Sequence, residues 1–532
     1  MKRRYFLKLA GCLAGAGPTA FVQAAGSQFV ESAPAPVPGI IEIGSRKQLF
    51  LDDSLIAWTS RVSKLMGRPR KYLKNPVLVA DKAWEKESTQ LGKLPADGIQ
   101  ISGQTVIYDE EEKMFKMWYN PWSFFPPRIR PWCYAVSKDG YQWEKPELGI
   151  YDYQGSRNNN IVGAYSKSKY FNVFKDRRET DPQKRYKAMG EIEGSDKNGT
   201  AIAFSPDGLY WTEYSGNPVV AKGTDVADCP TFLGWDARLQ KYVYYPRPGP
   251  PLGTRINGRG FYLPPQGLNP NDGQMRAIGY SVSDDFIHWT PTRLMLSPDE
   301  KDRVDYQYYQ MTVAQDGESY VGLLHMIQTH EQTFDIYLLT SRDGFHWNWV
   351  SRELPFLRRG EEQSYDGGYL TPSGPVLHDG TLWIYYGAYS GAHSSRLTRF
   401  GHNRMTIALA TLPTDRYLGL LAGMDLATVV TRPVAFSGSR LKIDMNASLT
   451  GGSASQISHR RNFDEVEVRL ALLDEFGGEI EGFTIQRSKI LPDSGVQEVA
   501  WEGADLKSLQ GKAVRLRFEY RNAALYSFQF TE

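Results

Sequence analysis

The sequence predicts an all-β chain, a five-bladed β-propeller followed by a C-terminal β-sandwich, and three observations carry that expectation. A seven-residue phrase occurs as Ser137-Lys138-Asp139-Gly140-Tyr141-Gln142-Trp143 and Ser205-Pro206-Asp207-Gly208-Leu209-Tyr210-Trp211. It returns as Ser283-Asp284-Asp285-Phe286-Ile287-His288-Trp289 and Ser341-Arg342-Asp343-Gly344-Phe345-His346-Trp347. Each copy follows a short β-type run (residues 132–136, 201–204, 277–282 and 335–340), so Asp-Gly reads as a hairpin turn and the Trp as the start of the returning strand. The second observation is a phrase alternating with the first, an Asp turn before a strand dense in aromatics. It places Asp109 before 114–119, Asp181 before 185–189, Asp236 before 242–245, Asp316 before 320–324 and Asp379 before 382–386. The third is a degenerate turn at 408–417, which completes five units of four strands. Units of this size cannot bury their faces alone, and stacking them around an axis solves the problem.

Taken in order, the chain opens with Lys2-Arg3-Arg4-Tyr5-Phe6-Leu7-Lys8 and a mild apolar run over 9–22, which resemble a bacterial twin-arginine export signal. Lys2 stands where that pattern carries Ser or Thr, which leaves the general secretory route open as well. Val22-Gln23-Ala24 has small residues placed for cleavage after Ala24. The expected organisation is a leader over 1–24, a linker over 25–40, the propeller over 41–430 and the sandwich over 431–532, with a periplasmic or secreted location. Gln48-Leu49-Phe50-Leu51 is expected to close the ring against the last blade, which would place Asp52 and Asp53 near the seam. The loop at 246–275, rich in Pro, Gly and Asn, is expected to form a rim over one mouth. Beyond Leu420 both phrases stop. Residues 436–530 read instead as alternating strands at 441–445, 465–473, 482–485, 514–520 and 525–530, with a Gly477-Gly478 turn and an isolated Trp501.

Composition excludes several classes. The 532 residues are 41% hydrophobic and 13% aromatic, enough for a large core without covalent staples. The formal net charge is +2 and turns weakly acidic once the basic leader is set aside, so neither nucleic acid nor an anionic membrane is an expected partner. No stretch after the leader is long and apolar enough to span a membrane. Cys133 and Cys229 fall in different blades and read as buried side chains. The eight histidines show no close ligand spacing, so no metal and no cofactor are expected. Oligomeric state is not legible.

In a propeller the innermost strand of each blade lines a central funnel, here the strand before each Asp turn. Acidic residues just ahead of those strands are Asp97 in blade one, Asp225 and Asp228 in blade three, Asp305 in blade four, and Glu361, Glu362 and Asp366 in blade five. Blade two offers Lys167 and Lys169. Carboxylates gathered in one pocket repel one another, which separates their pKa values and supplies an acid together with a base. Cleavage of a glycosidic bond needs that pair, so Asp97, Asp228, Asp305 and Asp366 are the candidate catalytic residues. Asp139, Asp207, Asp285 and Asp343 are assigned to turns. Trp118, Tyr119, Arg247, His325, Tyr385, His393 and Arg396 are expected to bind a sugar, rings by stacking on its apolar face and Arg and His by reading hydroxyls. For Trp118 and Tyr385, packing between blades explains the residue equally well.

Five blades, acids at the starts of inner strands and a following sandwich resemble glycoside hydrolase families 32 and 43 over about residues 45–530. Asp228-Cys229-Pro230 is similar to the Glu-Cys-Pro in which family 32 carries its general acid, with Asp in place of Glu. Asp97-Gly98 occupies the strand start that corresponds to the missing Asn-Asp-Pro nucleophile motif. The Arg-Asp-Pro motif has no counterpart, since Lys175-Asp176-Arg177 lies at the far end of its strand. The resemblance implies an exported glycosidase acting on an oligo- or polysaccharide, Asp97 as nucleophile or base and Asp228 as acid, with Asp305 or Asp366 tuning the pair. A sugar-binding propeller without catalysis, and a lyase or phosphorylase using Arg247 and Arg276, are the rival expectations.

Overall fold

The computed structural model describes residues 39–86, 97–122, 130–165, 168–192, 199–221, 225–248, 276–393, 403–446, 467–489 and 495–532. The leader and the linker up to residue 38, most of the 246–275 loop, and Arg396 lie outside the described residues. The all-β expectation is borne out. Five antiparallel blades surround an axis and a two-sheet sandwich packs against them. Among the described residues no helix is long and apolar enough to cross a membrane.

Blade one combines Asp97–Gln100 and Val106–Asp109 as its inner strand with Met114–Pro121, Arg130–Ser137 and Ile161–Tyr165. Blade two runs Ser168–Lys175, Tyr186–Ile192, Gly199–Ser205 and the short Thr212–Glu213. Blade three runs Asp225–Asp236, Lys241–Pro248, Ile278–Ser283 and Arg293–Leu296. Blade four runs Tyr306–Asp316, Ser319–Gln328, Thr333–Ser341 and Trp347–Trp349. Blade five takes Tyr369–Pro372 with Val376–His378, then Thr381–Tyr389 and Arg404–Pro413.

Both repeated phrases are contacts between blades. In Ser137–Trp143 the Asp139 carboxylate accepts the amides of Tyr141 and Gln142 at 2.8 Å each, and Gly140 donates its amide to Ser137 Oγ at 2.9 Å. The fourth residue sits at positive φ in every copy, +76° at Gly140, +81° at Gly208, +68° at Phe286 and +74° at Gly344, which is why Gly recurs there. That turn then receives a ring from a neighbouring blade: Trp118 Nε1 donates to the Gly208 carbonyl at 2.7 Å, Tyr245 to that of Gly344 at 3.1 Å and Tyr385 to that of Gly140 at 2.8 Å. In blades one to three the inner strand ends in a carboxylate that accepts a phenol from the next blade. Tyr186 donates to Asp109 at 2.9 Å, Tyr242 to Asp176 and Tyr320 to Asp236. In blade two the residue in this role is therefore Asp176, whereas the expected Asp181 caps the 3-10 turn Pro182–Lys184.

The ring closes elsewhere than expected. Arg70–Lys71 forms the outer strand of blade five, with Lys71 opposite Ala410, and the pairing continues as Val77 donates its amide to the Ile407 carbonyl at 2.8 Å. Between them the Asn75 side chain exchanges two hydrogen bonds with the Leu409 backbone, 2.8 and 2.9 Å, standing in for a strand residue. Gln48–Leu49 pairs instead with Ala524–Thr531 in the sandwich. Ile41–Gly44, Ile56–Ser60 and Val62–Met66 also pair with C-terminal strands, as do Leu418–Ala422 and Ala427–Thr431. The boundaries at 41 and 430 are thus corrected: the sandwich draws on both ends of the chain because its two sheets need those strands to cover Leu441, Leu470, Phe518 and Phe528. The segment 482–485, expected as a strand, leads into the 3-10 turn Ile485–Arg487. Asp52 belongs to this junction, where it accepts from Arg342 Nε at 3.1 Å.

Tyr320→Phe is expected to destabilise the protein by about 1–3 kcal/mol in a denaturant melt, because it strips a donor from the buried Asp236. Tyr210→Phe, at a ring 58% exposed, should leave the melt unchanged.

Candidate functional site

Inner strands crowd together at the axis of a five-bladed ring and cannot all pair with one another, so their backbone groups need side-chain partners. Small polar residues supply them. Ser102 Oγ donates to Gln310 Oε1 at 2.9 Å and Gln310 Nε2 to Thr231 Oγ1 at 3.0 Å. Asn172 Oδ1 accepts the amides of Gln104 at 2.8 Å and Phe232 at 3.0 Å, and Thr371 Oγ1 donates to the Ile101 carbonyl at 2.8 Å. All five blades contribute to this buried layer. Gly103 lies in it at φ +70°, where a Cβ would stand 2.5 Å from Asn172 Oδ1. Above the layer lie the leading ends of the five inner strands, and these define the mouth.

The strand residues that carry Asp97 and Asp228 both belong to those leading ends. Asp97 lies opposite Arg404 in a parallel pair that joins blades one and five, and Gly98 follows it where a Cβ would come within 2.1 Å of the Met405 carbonyl. Asp228 lies in the bulged stretch between Val226, opposite Arg247, and Thr231, opposite Tyr245. The side chains of Asp97, Asp225 and Asp228 lie outside the described residues. A cavity of about 640 Å³ opens beside Gly98, lined by Pro76, Val79, Tyr365, Ser390, Arg404 and Met405.

The wall of the mouth at blades three to five is aromatic and cationic. Arg247 is buried, donates from Nη2 to the Tyr309 carbonyl at 2.8 Å and stacks 4.5 Å from the centre of the Tyr309 ring. Arg276 donates to Gln307 Oε1 at 2.8 Å and lies 5.4 Å from the same ring. Tyr309 Oη is 3.2 Å from His393 Nε2. Phe334 packs 4.7 Å from Tyr309 and 5.0 Å from Tyr369, and Tyr369 stacks on Tyr389 at 3.8 Å. Tyr389 reaches Gln100 of blade one at 3.3 Å. His325 is fully buried behind this wall, and neither ring nitrogen has a hydrogen-bond partner among the described residues. Burial, and then the Arg247 charge, push its pKa down to about 3, so it is neutral at ordinary pH.

The mouth therefore gathers Arg247, His325 and His393 and leaves other candidates out. Trp118 and Tyr385 are blade-to-blade anchors, fully buried in their hydrogen bonds to Gly208 and Gly140. Tyr119 is equally buried and donates to Glu85 at 2.6 Å, fastening the helix Ala83–Lys86 to blade one. Asp366 is 1% exposed and sits in a seam, where its carboxylate holds Lys71 Nζ at 2.5 Å and accepts from Tyr386 at 3.2 Å. Asp305 stands at the start of blade four, ion-paired with the exposed Arg303 at 3.2 Å.

Sequence reasoning passed over Glu191. It lies near the end of the second strand of blade two, opposite Lys169 in register, buried, with Lys169 at 3.7 Å and Arg130 at 3.8 Å. The available signal is one acid in the run Ala188-Met189-Gly190-Glu191-Ile192, but that run is a second strand and the candidate acids are those ahead of inner strands. Tyr309, Tyr369 and Tyr389 were passed over because ordinary strand aromatics surround them in sequence.

No protein-family model matches the chain, and no curated protein matches it. Among solved structures, a glycosyl hydrolase from Bacteroides ovatus is 15% identical over 66% of this chain and 96% of its own, with a TM-score of 0.41. A structure from work on the GH130 family of mannoside phosphorylases, containing glycoside hydrolases that target beta-1,2 mannosidic linkages in Candida mannan, is 14% identical over 66% of this chain and 95% of its own, with a TM-score of 0.39. A Bombyx mori GH32 beta-fructofuranosidase is 11% identical over 82% of this chain and 92% of its own, with a TM-score of 0.36.

A histidine whose folded pKa is depressed to about 3 from 6.5 stabilises the fold fully above pH 6.5, and that contribution is lost as pH falls through the window to 3, where the unfolded chain alone binds the proton. His325→Gln should flatten the dependence of stability on pH there by up to about 1.4 kcal/mol per unit, read from melts at stepped pH. An unchanged slope would mean that His325 titrates normally.

Proposed function

We propose that the protein is a glycoside hydrolase that cleaves an oligo- or polysaccharide at the mouth of the propeller, with Asp97 as nucleophile or base and Asp228 as general acid. The observation that carries this reading is the meeting of leading strand ends on one axis, with acidic residues heading two inner strands that are remote in sequence. An acid and an ionised carboxylate on opposite sides of a glycosidic bond suffice for hydrolysis. The Arg247, Tyr309 and His393 wall suits a sugar, since Arg and His donate to hydroxyls and the ring packs against C–H faces. Glu191, buried between Lys169 and Arg130, is a third carboxylate on the blade two side, suited to orienting a hydroxyl. Asp305 tunes the charge at the rim. The leader at 1–24 fits export, so the substrate would be met outside the cytoplasm.

A second reading has its own support. Two guanidinium groups, Arg247 and Arg276, flank the ring of Tyr309, and such a pair suits phosphate, which would make the reaction phosphorolysis on the same scaffold.

Asp97→Asn and Asp228→Asn are each expected to lower turnover of a cleaved oligosaccharide, whose alkoxide leaving group needs a proton, by about 100-fold or more while the melting temperature stays put. Retained turnover in either variant removes that residue from the mechanism. Turnover that requires added orthophosphate and releases a sugar phosphate would select the second reading.

A further inference from the structure

The sandwich offers a site that the mouth does not use. One of its sheets meets the ring, through Tyr417 bonded to Asp316 at 3.0 Å and through Lys47 and Ser527 bonded to Asp415 at 2.9 and 3.0 Å. The other sheet carries Ile56–Ser60, Ala427–Thr431, Ala513–Arg521 and Glu467–Leu473. Burial alternates along Ala513–Arg521, so Leu516 and Phe518 enter the core while Arg515, Arg517 and Glu519 lie on the outer face.

On that outer face lies a groove of about 560 Å³, lined by Trp58, Val430, Phe476, Arg515, Arg517 and Glu519. Trp58 is 55% exposed on an edge strand, opposite Val430. Phe476 is 90% exposed yet firmly held: its amide and that of Gly478 donate to Asp474 Oδ1 at 2.9 and 2.8 Å, and Gly477 turns the chain at φ +98°. Arg517 is fixed by Glu479 at 3.0 Å and Glu519 at 2.9 Å. The hydrogen bonds of Arg515 among the described residues go to the carbonyls of Glu475 at 3.0 Å and Thr431 at 3.4 Å.

Two exposed flat rings are set here among guanidinium and carboxylate groups, so stacking faces lie beside hydrogen-bonding groups. They match a sugar chain. Each pyranose or furanose ring presents apolar C–H faces to an aromatic ring and a rim of hydroxyls to Arg and Glu. We propose that this groove is a second carbohydrate-binding site, which holds a glycan chain against Trp58 and Phe476 on the side of the sandwich turned away from the ring. It goes beyond the reading of the mouth and does not depend on catalysis there.

The test is affinity electrophoresis of the full chain carrying Asp228→Asn, so that the gel polymer is not degraded, in gels cast with arabinan, xylan or polygalacturonate. Retardation is expected in at least one gel, and Trp58→Ala with Phe476→Ala should weaken it about tenfold or more at unchanged melting temperature. Trp58→Phe, which keeps a flat ring, should retain most of the retardation. Migration unaffected by every polysaccharide overturns the proposal, as does retardation that the double alanine variant leaves intact. Sedimentation is the further control: a dimer that the double variant dissolves would assign the groove to self-association and overturn the glycan site.

Discussion

A tyrosine hydroxyl held against the carboxylate that ends the preceding blade's inner strand is the contact on which the ring depends. Asp109 with Tyr186, Asp176 with Tyr242 and Asp236 with Tyr320 repeat it across three consecutive seams. Blades are joined covalently only by connecting loops, so their mutual placement rests on what crosses the seams. Apolar packing supplies adhesion without direction. A buried carboxylate is unfavourable unless it is bonded, so each seam has a strongly preferred register. The rings of Trp118, Tyr245 and Tyr385, bonded to the carbonyls of a neighbouring blade's turn, fix the seams further out.

That register aligns the inner strands, and the alignment makes a mouth out of residues remote in sequence. With the axis filled by Ser102, Asn172, Thr231, Gln310 and Thr371, the strand ends above it stand on a rigid floor. Arg247, Tyr309 and His393 come from three separate segments, yet they touch one another or lie in contact through shared rings. His325 has a share in this although it faces no solvent. A neutral imidazole behind Arg247 leaves the arginines as the charge of that wall.

The ring was legible in the sequence because its turns are made by local chemistry. Ser, Asp and Gly at fixed offsets cap their own backbone, and that pattern survives in letters. Asp176 was misplaced to Asp181 because a short 3-10 turn intervenes and both aspartates satisfy nearby amides. Ring closure by Arg70–Lys71 left no trace, since a two-residue strand pairing with residues more than three hundred positions away has no periodicity to read. Trp118, Tyr119 and Tyr385 were drawn to the sugar site for a related reason. An aromatic on a strand has the same letter whether its ring faces a neighbour or an opening, and only packing distinguishes the two. Asp97, Asp228 and Asp305 fall on or just ahead of the leading ends of the inner strands that the Asp turns of blades one, three and four mark, while Asp366, a little earlier on its loop, drops into the seam with Lys71.

The sandwich is assembled from strands near both ends of the described chain, with Gln48–Leu49 lying beside Ala524–Thr531 and Ile41–Gly44 beside Val434–Phe436. The architecture is in this sense nearly endless, since strands from the two ends of the described chain are lateral neighbours in both sheets. Cutting the polypeptide in an exposed ring loop and tying these ends together with a short linker would change the order of synthesis and leave every lateral pairing in place. Cutting on either side of the ring, whose strands run unbroken from Arg70–Lys71 to Arg404–Pro413, would divide the sandwich, so the sandwich cannot be passed on as a separate C-terminal module.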